Sequence, residues 1–142
     1  MSNYRGSYRA MTAGSAKAGG DVLVIDDDAI MRDLVTDWLR AAGYRVRKAG
    51  DCESALQALG EGAPALIVTD MFMPGACGAA AIAELKRGAP GVAVIAVSGY
   101  FRAGSKLTAD EALRAGAARA LAKPVKRADL LRAVTELIGP SK

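Results

Sequence analysis

Residues Ala65 to Gly78 read ALIVTDMFMPGACG. The apolar run Ala65-Leu66-Ile67-Val68-Thr69 delivers a single acid, Asp70, and the pattern then breaks at Met73-Pro74-Gly75. Apolar residues on both faces over so short a length suit a strand buried in a parallel sheet. Pro74 and Gly75 punctuate the loop that follows. Asp70 is therefore expected at the carboxyl end of a central strand, where open α/β sheets bind ligands. An acid in such a place also serves as a helix cap or a loop residue, so its meaning depends on what else reaches the same edge.

Upstream, Val22-Leu23-Val24-Ile25 is a continuous apolar strand that ends on Asp26-Asp27-Asp28. Asp28 can N-cap the helix that follows. That helix shows Ile30, Leu34, Trp38 and Ala41/Ala42 at helical spacing, and Gly43 stops it. Tyr44 to Ala49 alternates with Val46 inward and arginines outward, as an edge strand does. Cys52 to Leu59 reads as a short helix with Ala55, Leu56 and Leu59 on one side.

Downstream, Gly78 to Arg87 is a helix with Ile82 and Leu85 buried, and Val92 to Val97 is a fourth apolar strand ending at Ser98-Gly99. Thr108 and Glu111 match a capping box, which places a helix start at Thr108. Arg119 to Ala122 is a short fifth strand terminated by Lys123-Pro124. The last helix, Ala128 to Ile138, carries Leu130, Leu131, Val134, Leu137 and Ile138 on one stripe. Strands alternating with helices five times imply a parallel sheet covered on both faces. Right-handed crossovers then bring Asp26, Asp27, Asp70, Ser98 and Lys123 to one edge.

Composition removes several alternatives. The formal net charge is +4, but the first twenty residues carry Arg5, Arg9 and Lys17 and no acid. The basic balance thus belongs to Met1 to Gly20, which reads as a disordered basic extension ahead of a single domain from Asp21 to Lys142. It makes no case for nucleic acid. Cys52 and Cys77 lack metal-ligand spacing and suit reduced thiols in the cytoplasm. No apolar run is long enough for a membrane span, and there is no secretory signal core. The chain has no histidine, which excludes His-based triads, imidazole metal sites and an internal phosphohistidine.

The clustered groups have a shared chemistry. Two carboxylates ~4 Å apart repel by about 4 kcal/mol at an effective dielectric near 20. Either a pKa rises or a cation sits among them. Oxygen ligands without His or Cys favour a hard ion, Mg²⁺ above all. Lys123 adds a second positive charge and Ser98 a hydroxyl donor. A phosphoryl group carried on one Asp finds a partner in each.

These residues resemble the receiver domain of two-component response regulators. The resemblance runs from about Asp21 to Gly139 and rests on VLVIDDD at Val22 to Asp28, DMFMPGACG at Asp70 to Gly78, VSG at Val97 to Gly99, and AKP at Ala122 to Pro124. It implies a flavodoxin-like, doubly wound α/β fold with five parallel strands in the order 2-1-3-4-5 and about five helices. It also implies that Asp70 is the phosphoacceptor, and that Mg²⁺ is held by Asp26, Asp27 and Asp70 with the carbonyl of Phe72. Ser98 and Lys123 contact the phosphoryl group, and Gly99 leaves room for the donor.

The function so implied is that of a stand-alone signalling receiver rather than an enzyme. A histidine kinase or histidine phosphotransferase is the donor, and output passes by protein contact or onward phosphotransfer. A pseudo-receiver binding partners without phosphorylation is the alternative. A haloacid-dehalogenase-like phosphatase is disfavoured because Phe72 stands where its second acid belongs. A nucleotide or flavin binder is disfavoured because Asp26-Asp27-Asp28 repels phosphate where a Gly-rich loop is needed. Two departures from the family pattern stand out. Ala120 occupies the place of a frequent aromatic switch three residues before the lysine. The segment from Ser98 to Gly116 is longer than in the chemotaxis prototype and carries Tyr100-Phe101. Phe72 and Tyr100 are expected to flank the phosphoaspartate and slow its hydrolysis.

Overall fold

The computed structural model describes residues 20–73, 76–98 and 106–140, with the side chains of 72–81 and 106–108 excepted. The main sheet strands are β1 (Asp21–Ile25), β2 (Arg45–Ala49), β3 (Leu66–Asp70), β4 (Ala93–Ser98) and β5 (Arg119–Ala122). The helices are α1 (Ala29–Ala41), α2 (Cys52–Gly60), α3 (Gly78–Gly88), α4 (Lys106–Ala115) and α5 (Arg127–Ile138). The five strands are parallel and lie in the order β2-β1-β3-β4-β5. Phe72–Met73 and Ala76–Cys77 form a separate antiparallel ribbon beyond β3. The fold class and strand order match the expectation from the sequence.

Alternation along the strands splits the core in two. Leu23, Ile25, Ile67, Val94 and Ala96 face one side, where Ala55 and Leu59 of α2, Ile82 and Leu85 of α3, and Ala112 of α4 cover them. Val22, Val24, Leu66, Val68, Ile95 and Val97 face the other, under Val35 and Leu39 of α1 and Leu130, Ala133 and Val134 of α5. Every residue of β3 is buried, including the polar Thr69 and Asp70 at its carboxyl end, as suits a central parallel strand. At the edge, β2 alternates: Val46 and Ala49 are buried while Arg45 and Lys48 are exposed.

Three local expectations are corrected. The buried stripe of α1 is Val35 and Leu39 with Thr36, joined by the half-buried Met31, whereas Ile30 is 79% exposed and Leu34 39%. Both series repeat at helical spacing, and only the roll of the helix on the sheet chooses between them; Trp38 and Ala42 pack against the core from the flank. The helix α4 starts at Lys106, so Thr108 is its third residue and not its cap. Lys and Leu are good helix formers and carry the helix back past Thr108. Finally, α5 takes in Arg127, with Lys126 as its cap residue.

Gly43 ends α1 as expected. Its φ of 99° is a left-handed turn that a side chain resists, and it lets the Tyr44 amide close back on the Leu39 carbonyl at 3.1 Å. The Tyr44 hydroxyl then donates to the Gly139 carbonyl at 2.7 Å, tying this corner to the end of α5. Among the described residues, no helix is long and apolar enough to cross a membrane.

Candidate functional site

Strand register builds the site. Ile25 lies beside Thr69, so Asp26 leaves β1 next to Asp70, the last residue of β3. Asp70 in turn is level with Val97, and Ser98 with Ala122, after which the chain turns at Lys123. The Lys123 amide donates to the Ser98 carbonyl at 3.0 Å, and the Lys123–Pro124 peptide is cis. Residues far apart in sequence thus reach one edge of the sheet because parallel strands all end there.

Asp26, Asp27 and Asp70 each offer a carboxylate oxygen within 4.8 Å of the others. Asp26 and Asp70 are both only 7% exposed, whereas Asp27 is open to solvent. The Lys123 ammonium lies 3.1 Å from Asp70 Oδ2 and 3.6 Å from Asp26 Oδ2. Ser98 is buried at the end of β4. The turn itself is ordered by its own acids. The Asp28 amide donates to Asp26 Oδ1 at 2.9 Å. Asp28 Oδ1 accepts from the Ile30 and Met31 amides at 3.0 and 3.3 Å, the predicted N-cap of α1.

The charges respond to this crowding. Burial pushes the Asp26 carboxyl above the ordinary carboxylate range. The Asp28 amide and Lys123 pull it back, and the nearby Asp70 raises it again. Burial works against the Lys123 ammonium, but its hydrogen bond to Asp70 and the charges of Asp70 and Asp26 outweigh that, so its pKa is raised. Lys123 is shared between Asp70 and Asp26, and with Asp27 also present the cluster is short of positive charge. Three carboxylate oxygens converging, without nitrogen or sulfur ligands among the described residues, fit a hard divalent cation such as Mg²⁺.

Of the residues singled out from the sequence, Asp26, Asp27, Asp70 and Lys123 are brought together by contact or proximity, and Ser98 by strand register. Phe72 joins the short ribbon by its backbone, opposite Cys77, and its ring is outside the described residues. Gly99, Tyr100 and Phe101 also lie outside them, and so do residues 1–19. Ala120 is half-buried and packs beside the core formed by α2, α3 and α4. Sequence reasoning passed over Arg32, whose Nη1 donates to the Asp26 carbonyl at 2.7 Å. The available signal was its place one helical turn after the cap Asp28.

A doubly wound parallel sheet with an acidic, lysine-paired cluster at its carboxyl edge defines a class of protein in which charge is handled at the strand ends. The response regulator receiver domain model matches residues 22–135, and the chain belongs to that family. It is similar to the chemotaxis protein CheY of Thermotoga maritima, with 30% identity over 120 residues that cover 84% of this chain and 98% of that protein. The receiver domain of NtrX from Brucella abortus superposes with a TM-score of 0.76 at 35% identity, covering 82% of this chain and 97% of that one. The protein-glutamate methylesterase/protein-glutamine glutaminase of Maricaulis maris is 37% identical over 117 residues, which cover 81% of this chain and 29% of that relative. The chain likewise spans 23% of the response regulator protein FleR of Pseudomonas aeruginosa. The family therefore occurs both alone and within longer proteins.

Proposed function

We propose that the protein is a Mg²⁺-dependent phosphoacceptor in two-component signalling, with Asp70 as the residue modified. The observation that carries this reading is the convergence of Asp26, Asp27 and Asp70 within 4.8 Å while Lys123 sits 3.1 Å from Asp70. In the proposed reaction an Asp70 carboxylate oxygen attacks the phosphorus of a phosphohistidine lying outside this sequence. The new P–O bond forms as the P–N bond breaks, and the imidazole leaves with a proton from solvent. Asp26 and Asp27 would hold the ion with Asp70 and the Phe72 carbonyl. When bound, Mg²⁺ supplies positive charge to the transferring phosphoryl oxygens. Lys123 supplies a second positive charge from the β5 side, and the Ser98 hydroxyl donates to a phosphoryl oxygen.

The donor is a histidine kinase or histidine phosphotransferase, and the phosphorylated domain signals through protein contact or onward phosphotransfer. The loaded group changes the charge at one end of the sheet, which biases the β4–α4 region toward a second arrangement. The test is incubation with Mg²⁺ and a small phosphodonor such as acetyl phosphate, followed by intact mass. One base-labile phosphoryl adduct is expected, absent in Asp70→Asn and absent with EDTA. An adduct that persists in Asp70→Asn refutes the assignment of Asp70. No adduct on the parent chain supports the alternative, a partner-binding module that works without phosphorylation.

A further inference from the structure

Arg32 projects from α1 back over the acid turn. Its Nη1 donates to the Asp26 carbonyl at 2.7 Å, while the Asp26 amide donates to the Ala49 carbonyl of β2 at 3.1 Å. The backbone of Asp26 is therefore held at both ends, one by a strand and one by a guanidinium. The residue just after β2, Gly50, leaves the room for this. A Cβ at Gly50 would stand 3.2 Å from Arg32 Nη1, closer than side chains ordinarily pack. Gly50 does not have a left-handed φ, so space rather than backbone freedom explains the glycine. The root of Arg32 is anchored as well: its amide donates to the Asp28 carbonyl at 2.9 Å, and the Thr36 hydroxyl donates to the Arg32 carbonyl at 2.7 Å.

Arg32 has no carboxylate partner among the described residues. Its charge is thus not spent on an ion pair, and its hydrogen bond goes to a backbone carbonyl between the two acids of the turn. We propose that Arg32 is a positioning residue for the divalent-cation site: by clamping the Asp26 carbonyl in the space left by Gly50, it aims the Asp26 and Asp27 carboxylates toward Asp70. This rests on the reading above that the acid cluster takes Mg²⁺.

The two effects of Arg32 have opposite signs, which makes the idea testable. As a bare cation beside the cluster it repels Mg²⁺, so removing its charge alone tightens binding. As a clamp it organises the ligands, so removing it weakens binding, by about tenfold on the scale of groups that orient metal ligands. Mg²⁺ dissociation constants are measured on the full chain by amide NMR titration for the parent, Arg32→Gln, Arg32→Lys and Gly50→Ala. Melting in EDTA shows which variants are folded. Arg32→Gln is expected to weaken Mg²⁺ by about tenfold; Arg32→Lys, which keeps a donor and a charge, and Gly50→Ala, which the guanidinium can meet by shifting a few tenths of an ångström, weaken it by less. A folded Arg32→Gln that binds Mg²⁺ as tightly as the parent, or more tightly, overturns the proposal. If Arg32→Gln does not fold, Arg32→Lys decides, since it retains the charge but removes the guanidinium that donates to the Asp26 carbonyl; unchanged affinity there overturns the clamp. A parent chain that binds no Mg²⁺ overturns the metal reading and the clamp together, whereas normal parent binding with unaffected variants overturns only the clamp.

Discussion

Lys123 Nζ lies 3.1 Å from Asp70 Oδ2, joining residues 53 positions apart in the chain. The lysine is one-quarter exposed by its side chain and Asp70 far less, so the pair is shielded without being dry. Removing the lysine leaves Asp26 and Asp70 as close, buried like charges. Lys123→Ala is expected to lower unfolding free energy in EDTA by about 2 kcal/mol. Saturating Mg²⁺ restores part of that loss, because the ion takes over the neutralisation. Urea unfolding with and without Mg²⁺ measures both. Because the Lys123 pKa is raised in the fold, this contribution is full below its unfolded value, near pH 10, and fades as pH rises through the raised value.

The acid pair makes the opposite prediction. The folded Asp26 carboxyl is raised, first by burial and then by Asp70. It keeps its proton in the folded chain at a pH where the unfolded chain has released it. Its contribution is therefore neutral below the ordinary aspartate range, near pH 4; the cost builds as pH rises from there to the raised value and stays in full above it. Asp26→Asn removes that cost. Its melting temperature in EDTA should exceed the parent's at pH 7, and the gap should shrink toward pH 4. The same substitution should abolish the gain that Mg²⁺ gives the parent.

Arg47 carries a structural load far from the acid cluster. Its Nη1 and Nη2 donate to the Ala58 and Gly62 carbonyls at 2.9 and 2.7 Å, and Nη2 lies 3.2 Å from Asp21. These bonds satisfy carbonyls at the end of α2 and hold that helix against the edge strand. Arg47→Met keeps the aliphatic stem and loses the donors. A loss of about 2 kcal/mol in urea unfolding is expected, with phosphoryl adduct formation on Asp70 intact.

Asp28 separates capping from metal binding, since its side chain accepts from the Ile30 and Met31 amides rather than facing Asp70. Asp28→Ala is expected to cost about 1 kcal/mol through loss of the cap. Asp28→Ser, which retains an acceptor, should recover most of it. Mg²⁺ affinity should change much less than in Asp26→Asn, which an amide NMR titration reads directly.

The short-range rules reached the cap at Asp28, the stop at Gly43 and the apolar strand before Asp70, because each depends on a few neighbouring residues. They failed where two local answers were equally good. On α1 the Ile30 and Met31 stripes have the same period, and burial chose Met31, Val35 and Leu39 only through packing on the sheet. At α4 the Thr108–Glu111 pattern fits a cap locally, yet the helix runs back to Lys106. Ala120 shows a different limit. Its small side chain is visible in the sequence, but its place against the core of one sheet face is a property of the fold.

By itself the sequence determined the alternation of strands and helices, and with it the edge to which Asp26, Asp27, Asp70, Ser98 and Lys123 belong. That follows because the order of elements and the handedness of crossovers leave few topologies open. Only the tertiary structure decided that Lys123 is shared between Asp70 and Asp26, that burial raises the Asp26 carboxyl, and that Arg32 reaches the Asp26 carbonyl across space kept by Gly50. These are matters of ångström distances and solvent exclusion between segments remote in sequence, and no periodicity or motif encodes them.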